Sequence, residues 1–274
     1  MDQLLLSPQT RRQLEAIIAD APHAIVLVGA AGIGKRTVAA AIASALTTKA
    51  LVTVVEPDEK GTISIETVRS LYQRTRSRQE GRQVIIIDHA EGMGIEAQNA
   101  FLKLLEEPRE GVTFILTAPN DDALLPTISS RVQTVGLPRM SQTALQAMVT
   151  ARAVQLQPQE LAQLLFVADG RPGTLARLLD DPQAFEHYKQ LMKQAKEMLA
   201  ASPYERLSLI TTLTKSREDA IALLEAMARM LHIQLLRDPS ETMLSLAENI
   251  QECLARLAQN GNPRAQLTSL FIRN

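Results

Sequence analysis

The chain has 274 residues, 46% of them apolar and 22% charged, with a formal net charge of -1. That length allows two or three small domains, each with its own core, and the charge excludes a broadly basic surface. With aromatics at 3%, no Trp, one cysteine (Cys253) and four His, the chain lacks the means for base stacking on exposed rings, an internal disulfide or a Cys-rich zinc site.

The start, "MDQLLLSPQTRR", lacks the basic lead and long apolar core of a secretion signal, and no apolar run approaches ~18 residues. A cytoplasmic protein with no membrane contact is expected. "SPQTRRQLEAIIADA" then predicts a helix capped by Ser7 with Pro8 in its first turn. Four short apolar runs follow, "AIVLVG", "LVTVVEP", "VIIIDHA" and "VTFILTAP", each succeeded by helical or turn sequence. Such runs suit buried parallel strands, about five in one sheet, and an α/β layer architecture. "SIETVRSLYQRTRSRQ" and "GIEAQNAFLKLLEEP" carry apolar residues at helical spacing, the second stopped by Pro108. After Ser141 the strands cease. Three short helices are expected to Asp180, then four or five more, punctuated by Pro203, Pro239 and Pro263. The expected domains are therefore 1–138, 139–181 and 182–274.

The most informative stretch is "IVLVGAAGIGKRTVAAAIASAL". An apolar strand runs into the glycine-rich turn Gly29 to Gly34, and Lys35 opens a helix, which is the context of a G-x-x-x-x-G-K phosphate loop. Backbone N–H groups of Ala31 through Gly34 would face a phosphate, the helix dipole would assist, and Lys35 would reach the terminal phosphates. Gly29, Gly32, Gly34, Lys35, Arg36, Thr37 and Asp88 are the candidate nucleotide-binding residues. Arg36 is the anomaly, because the residue after the lysine normally offers a hydroxyl to Mg²⁺. Thr37 is no substitute, since one helical step rotates a side chain by about 100°. In "VIIIDHA", Asp88 stands where a carboxylate contacts the metal, but His89 follows it. Two positions needed for hydrolysis are thus replaced.

The block "NAFLKLLEEPREGVTFILTAPNDDALLPTISSRVQTV", Asn99 to Val135, resembles the N-A-L-L-K-x-L-E-E-P … L-L-x-T-I-x-S-R-C block of bacterial clamp-loader subunits, members of the AAA+ family. "EPDEKGTISIETVRSL" and "NGNPRAQLTSL" are similar to further parts of the same family. The resemblance implies an AAA+ P-loop domain with a parallel sheet, a small helical lid and an all-α collar. Hydrolysing gamma/tau subunits keep G-K-T and D-E-A in such a loop and strand end, whereas "GKRT" and "DHA" place this chain on the delta-prime side of DNA polymerase III. The region of "TAPN" lacks the usual sensor hydroxyls near Ala118 and Pro119. Gly173 stands where active subunits carry a sensor arginine, with Arg171 close by. The family's four-Cys zinc module is missing, since only "TTK" separates "IASAL" from "ALVTVV", so no metal is implied.

What the resemblance retains is Ser130-Arg131-Val132, matching Ser-Arg-Cys. It implies that Arg131 is a finger offered in trans to ATP in a neighbouring subunit. It further implies no intrinsic ATPase, no required cofactor with ATP or ADP binding left open, and a hetero-pentamer with gamma/tau and delta subunits. That assembly handles a sliding clamp and primed DNA. Ser64 as a helix cap, Arg69 on the same helix and Lys103 are the candidate DNA contacts; Arg74, Arg76 and Arg78 form a basic cluster that equally suits a solvated helix end. Two alternatives stay open: an active gamma/tau-type ATPase, and an unrelated P-loop switch, which leaves the Asn99–Val135 block unexplained.

Overall fold

The computed structural model describes residues 4–48, 51–76, 81–152, 154, 156–213, 216–258 and 261–272. Arg78 lies outside them. The chain divides into two units, 1–180 and 181–274, so the expected division near residue 138 falls inside the first.

In the first unit the apolar runs form a sheet because their β-branched side chains pack on both faces at once. The strands are β1 (Ala24–Val28), β2 (Val52–Val55), β3 (Gln83–Ile87), β4 (Val112–Ala118) and β5 (Gln133–Gly136). All pairings are parallel, in the order β2-β3-β4-β1-β5. The fifth strand, "QTVG", was not among the four expected runs. Only Val135 of it is buried, and its pairing with β1 brings it into the sheet.

Alternation along each strand sends side chains to opposite faces. Ile25, Leu27, Ile86 and Ile115 pack with Leu14, Ile17, Val38 and Ile42 from α1 (Pro8–Ala19) and α2 (Lys35–Leu46). Val26, Ile85, Phe114 and Leu116 pack with Val68, Leu71, Phe101 and Leu105 from α3 (Ile65–Arg76) and α4 (Ile95–Glu106), and with Ile128 from the short α5 (Pro126–Ser129). Phe101 and Phe114 meet edge to face at 5.2 Å, an arrangement worth about 1 kcal/mol beyond area burial. As expected, Ser7 caps α1 by accepting from Thr10 N at 3.1 Å. Helix α4 ends just before Pro108.

Helices α6 (Gln142–Ala151), α7 (Pro158–Ala168) and α8 (Pro172–Asp180) complete this unit. The second unit is all helix among its described residues: α9 (Pro182–Ala200), α10 (Pro203–Leu213), α11 (Arg217–Arg237), α12 (Glu241–Ala258) and α13 (Pro263–Ile272). Its core gathers Ala195, Met198, Leu224, Met227, Ile250, Leu257 and Phe271, with Cys253 among them. Burial pushes the Cys253 thiol above its ordinary range, the mark of a structural cysteine. Among the described residues, no helix is long and apolar enough to cross a membrane.

Candidate nucleotide loop and surface arginine

The loop between β1 and α2 lies at the carboxyl ends of the strands, where open parallel sheets present their ligand sites. Gly34 has φ 101°, a left-handed backbone that favours glycine, and it caps α2 with no side chain in the way. The geometry is that of a phosphate loop, but its groups are turned to internal partners. Lys35 Nζ donates to the carbonyl oxygens of Gly29 at 2.6 Å and Ala30 at 3.3 Å. The Ile33 N–H, expected to face a phosphate, donates to Ala30 O at 3.2 Å. Burial lowers the Lys35 pKa, opposed in part by the nearby carboxylates of Glu91 and Asp88.

The start of α8 covers the loop. Thr174 N donates to Gly32 O at 2.7 Å, and its hydroxyl approaches the same oxygen at 3.4 Å. A methyl group added at Gly173 would stand 2.8 Å from Gly32 O and 2.9 Å from Gly34 N. Only a residue without Cβ allows that approach. Arg171, close to the sensor position, donates to Ala168 O and Val167 O at 3.0 Å, at the end of α7.

Arg36 pairs with Glu56, just past β2, and lies 3.7 Å from Asp88 Oδ2. It thereby places a fixed guanidinium beside the carboxylate that a magnesium ion would need. Asp88, buried at the end of β3, accepts the Thr117 hydroxyl at 2.6 Å, and Thr117 Oγ1 also accepts the His89 N–H at 2.9 Å. Thr117 is a site residue that the sequence reading passed over, one position before the Ala118 considered for it. His89 has a left-handed backbone (φ 52°), and its Nδ1 lies 2.9 Å from Glu91 Oε1 on the surface. Thr37 is exposed on the next step of α2. It lines a cavity of about 110 Å³ with Leu5, Leu137, Met140, Met148 and Arg152.

The loop and Asp88 are thus brought together, with the Lys35 ammonium held by Gly29 O and the Arg36 guanidinium standing where a magnesium ion would approach Asp88. Among the described residues, no three His, Cys, Asp or Glu side chains gather as metal ligands.

Arg131 lies apart from this loop, at the end of α5. Buried Gln98 fixes that helix to α4: its Nε2 donates to Met93 O at 2.9 Å and its Oε1 accepts from Leu125 N at 2.8 Å. The guanidinium is partly exposed and pairs with Glu106 at 3.2 Å. Ser64 caps α3 by accepting from Thr67 N at 3.1 Å, with Arg69 exposed further along. The Glu66 carboxyl is held below its ordinary range by its own backbone N–H and then by the Ser64 hydroxyl, so an acidic group already uses this helix start. Lys103 is exposed in the last turn of α4, and Arg74 is exposed on α3.

Comparison with known proteins shows what this chain is similar to. The chain is 32% identical over 213 residues to the DNA polymerase III subunit delta' of Pseudomonas aeruginosa, covering 66% of this chain and 64% of that one. The chain is thus similar to DNA polymerase III delta' subunits. Residues 49–141 match the family described as DNA polymerase III, delta subunit. The delta' subunit of Yersinia pestis is 30% identical over 186 residues, 65% of this chain and 53% of its own length. The matches thus span a little under two thirds and about half of these two relatives. A gamma subunit-related protein of Thermotoga maritima superposes with a TM-score of 0.58 at 20% identity, over 95% of this chain and 98% of that one. That likeness bears on fold alone, and the fold is α/β of the AAA+ type.

Proposed function

We propose that this chain is a delta-prime, non-hydrolysing subunit of the DNA polymerase III clamp loader, and that it supplies Arg131 to nucleotide bound by a neighbour. The observation that carries the reading is the Arg36 guanidinium beside Asp88, where a magnesium ion would sit, together with the close approach of Gly173 to Gly32 and Gly34. The pairing of Arg36 with Glu56 beside Asp88, and of Lys35 with Gly29, supports it. The phosphate loop has become part of the scaffold, and the group offered to chemistry is on the opposite edge of function, an exposed arginine on a braced helix. No cofactor is required by this subunit itself.

A planar guanidinium bridging the transferred phosphoryl oxygens stabilises transition-state charge, an effect of roughly 10³ to 10⁵ in rate in P-loop enzymes. It needs no nucleotide in its own subunit. The partners in this reading are gamma/tau and delta subunits in a five-membered ring, which opens a sliding clamp and places it on primed DNA. Residues 1–138 form the nucleotide-binding-like module, 139–181 the lid and 182–274 the collar that joins neighbours. Ser64, Arg69 and Lys103 meet DNA phosphates in the assembled ring.

Reconstitution with gamma/tau and delta subunits tests this directly. Arg131→Ala should leave assembly intact but slow clamp- and DNA-stimulated ATP hydrolysis, with poor rescue by Arg131→Lys, which lacks the fork. Lys35→Ala should cost far less. The reverse order of effects would make this chain an active gamma/tau-type ATPase.

A further inference from the structure

The Arg131 side chain is held on its own subunit. Its Nη1 donates to Thr127 O at 3.1 Å and to Ser130 Oγ at 3.2 Å, and Nη2 lies 3.2 Å from Glu106 Oε1. Both terminal nitrogens, the fork with which an arginine grips a phosphate, are therefore engaged.

The two elements that meet here are fixed to each other. Gln98 ties α4 to the residue preceding α5, as described above. Phe101 and Leu105 of α4 share a core with Leu124 and Ile128, so the last turn of α4 stands over the end of α5. Glu106 is presented to Arg131 by packed helices, and Val132, the next residue, packs against the same core. Gln98 thus ties the two elements in the interior, and the Glu106–Arg131 pair joins them at the surface.

We propose that Glu106 is a positioning residue for Arg131, a latch that holds the guanidinium folded until the phosphates of a neighbour's nucleotide displace the carboxylate. This rests on the finger reading above. A half-exposed ion pair is a weak tether, worth about 1.5- to 5-fold in an equilibrium. A polyphosphate carries several negative charges and offers two oxygens to one fork, so it wins the exchange. The latch holds the finger in one place in the free subunit and makes its release conditional on a highly charged ligand. Every productive encounter then includes the breaking of the Glu106 pair, which raises the apparent KM for the neighbour's ATP.

The test is Glu106→Gln, which keeps the shape and removes the charge, made in the full chain with and without Arg131→Ala. In the free chain, an arginine-directed dicarbonyl reagent should modify Arg131 about 2- to 5-fold faster in Glu106→Gln, read by peptide mass spectrometry. In the reconstituted assembly, Glu106→Gln should lower the KM for ATP by a similar factor, with the change falling on KM rather than kcat. In the Arg131→Ala background it should change neither quantity, whereas a purely structural Glu106 would shift unfolding in both backgrounds and leave KM alone. Unchanged Arg131 reactivity, or a KM effect that survives Arg131→Ala, overturns the latch while leaving the finger in place. A silent Arg131→Ala in the assembly overturns the finger, and the latch with it.

Discussion

Thr117 donates its hydroxyl proton to Asp88 at 2.6 Å across the carboxyl ends of neighbouring strands β4 and β3. The same oxygen accepts the His89 N–H at 2.9 Å, just where the backbone turns left-handed. One threonine thus satisfies a buried carboxylate and a strand-end amide together. In a metal-using loop that carboxylate would serve an ion. Here it serves the fold, with Arg36 on its outer side.

Thr117→Val should therefore be costly despite its similar volume. It leaves a buried carboxylate oxygen and a backbone N–H without this partner, a loss of about 3 kcal/mol in unfolding free energy. Thr117→Ser should recover most of it. Urea denaturation of the three proteins decides: equal stability of parent and Thr117→Val would show that Asp88 finds water or another donor instead.

Gly173→Ala should also destabilise the first unit, although alanine is the better helix former. The added methyl meets Gly32 O at 2.8 Å and Gly34 N at 2.9 Å, and both are backbone atoms that cannot swing aside. Overpacking of this kind costs about 1–3 kcal/mol, against a helix-propensity gain of at most about 1 kcal/mol. Protease cleavage of α8 should rise accordingly, and an unchanged digestion pattern would mean that α8 is not seated on the loop in solution.

The sheet was legible where its strands are buried on both faces, because β1, β3 and β4 then read as unbroken aliphatic runs. Strand β5 was not, since an edge strand with one buried residue, Val135, carries no such signal. The phosphate loop, its anomalous Arg36 and the departures at His89 and Gly173 could all be seen in the sequence. What could not be seen was where the displaced groups go. Glu56, Thr117 and Thr174 look like ordinary strand-end or helix residues until the fold brings them to the loop. Arg171, which the sequence places close to the sensor position, is likewise engaged by carbonyls at Ala168 and Val167 that the sequence alone did not point to.

The start of α3 makes a prediction in pH. The Glu66 carboxyl is held below its ordinary 4.5, first by its backbone N–H and then by the Ser64 hydroxyl. A carboxylate whose folded pKa is depressed contributes stability that is present above its unfolded pKa and lost as pH falls through the folded value. Glu66 should therefore titrate below 4.5 by NMR, and Ser64→Ala should move its midpoint upward. A Glu66 midpoint indifferent to Ser64→Ala would show that the hydroxyl is not bonded to it, and would leave the Ser64 donor available to a phosphate.

The final prediction concerns the two residues that first marked this loop as unusual. Arg36→Thr with His89→Glu returns the hydroxyl that would hold magnesium and the carboxylate that would activate water. If those two changes were the whole of the defect, the double variant would hydrolyse ATP. The geometry says that they are not. Lys35 remains bonded to Gly29 O at 2.6 Å, the start of α8 remains on Gly32 and Gly34, and Arg171 still points toward α7. Each of these must move before a γ-phosphate can be held for attack, and neither substitution touches any of them. Removing Arg36 does free Glu56 and the outer side of Asp88, so weak magnesium-dependent nucleotide binding is the expected gain, measured by isothermal titration. Phosphate release by the isolated double variant should stay at the level of the parent. Sustained turnover that Lys35→Ala abolishes would show that α8 lifts readily from the loop and that only two side chains separate this chain from an active ATPase.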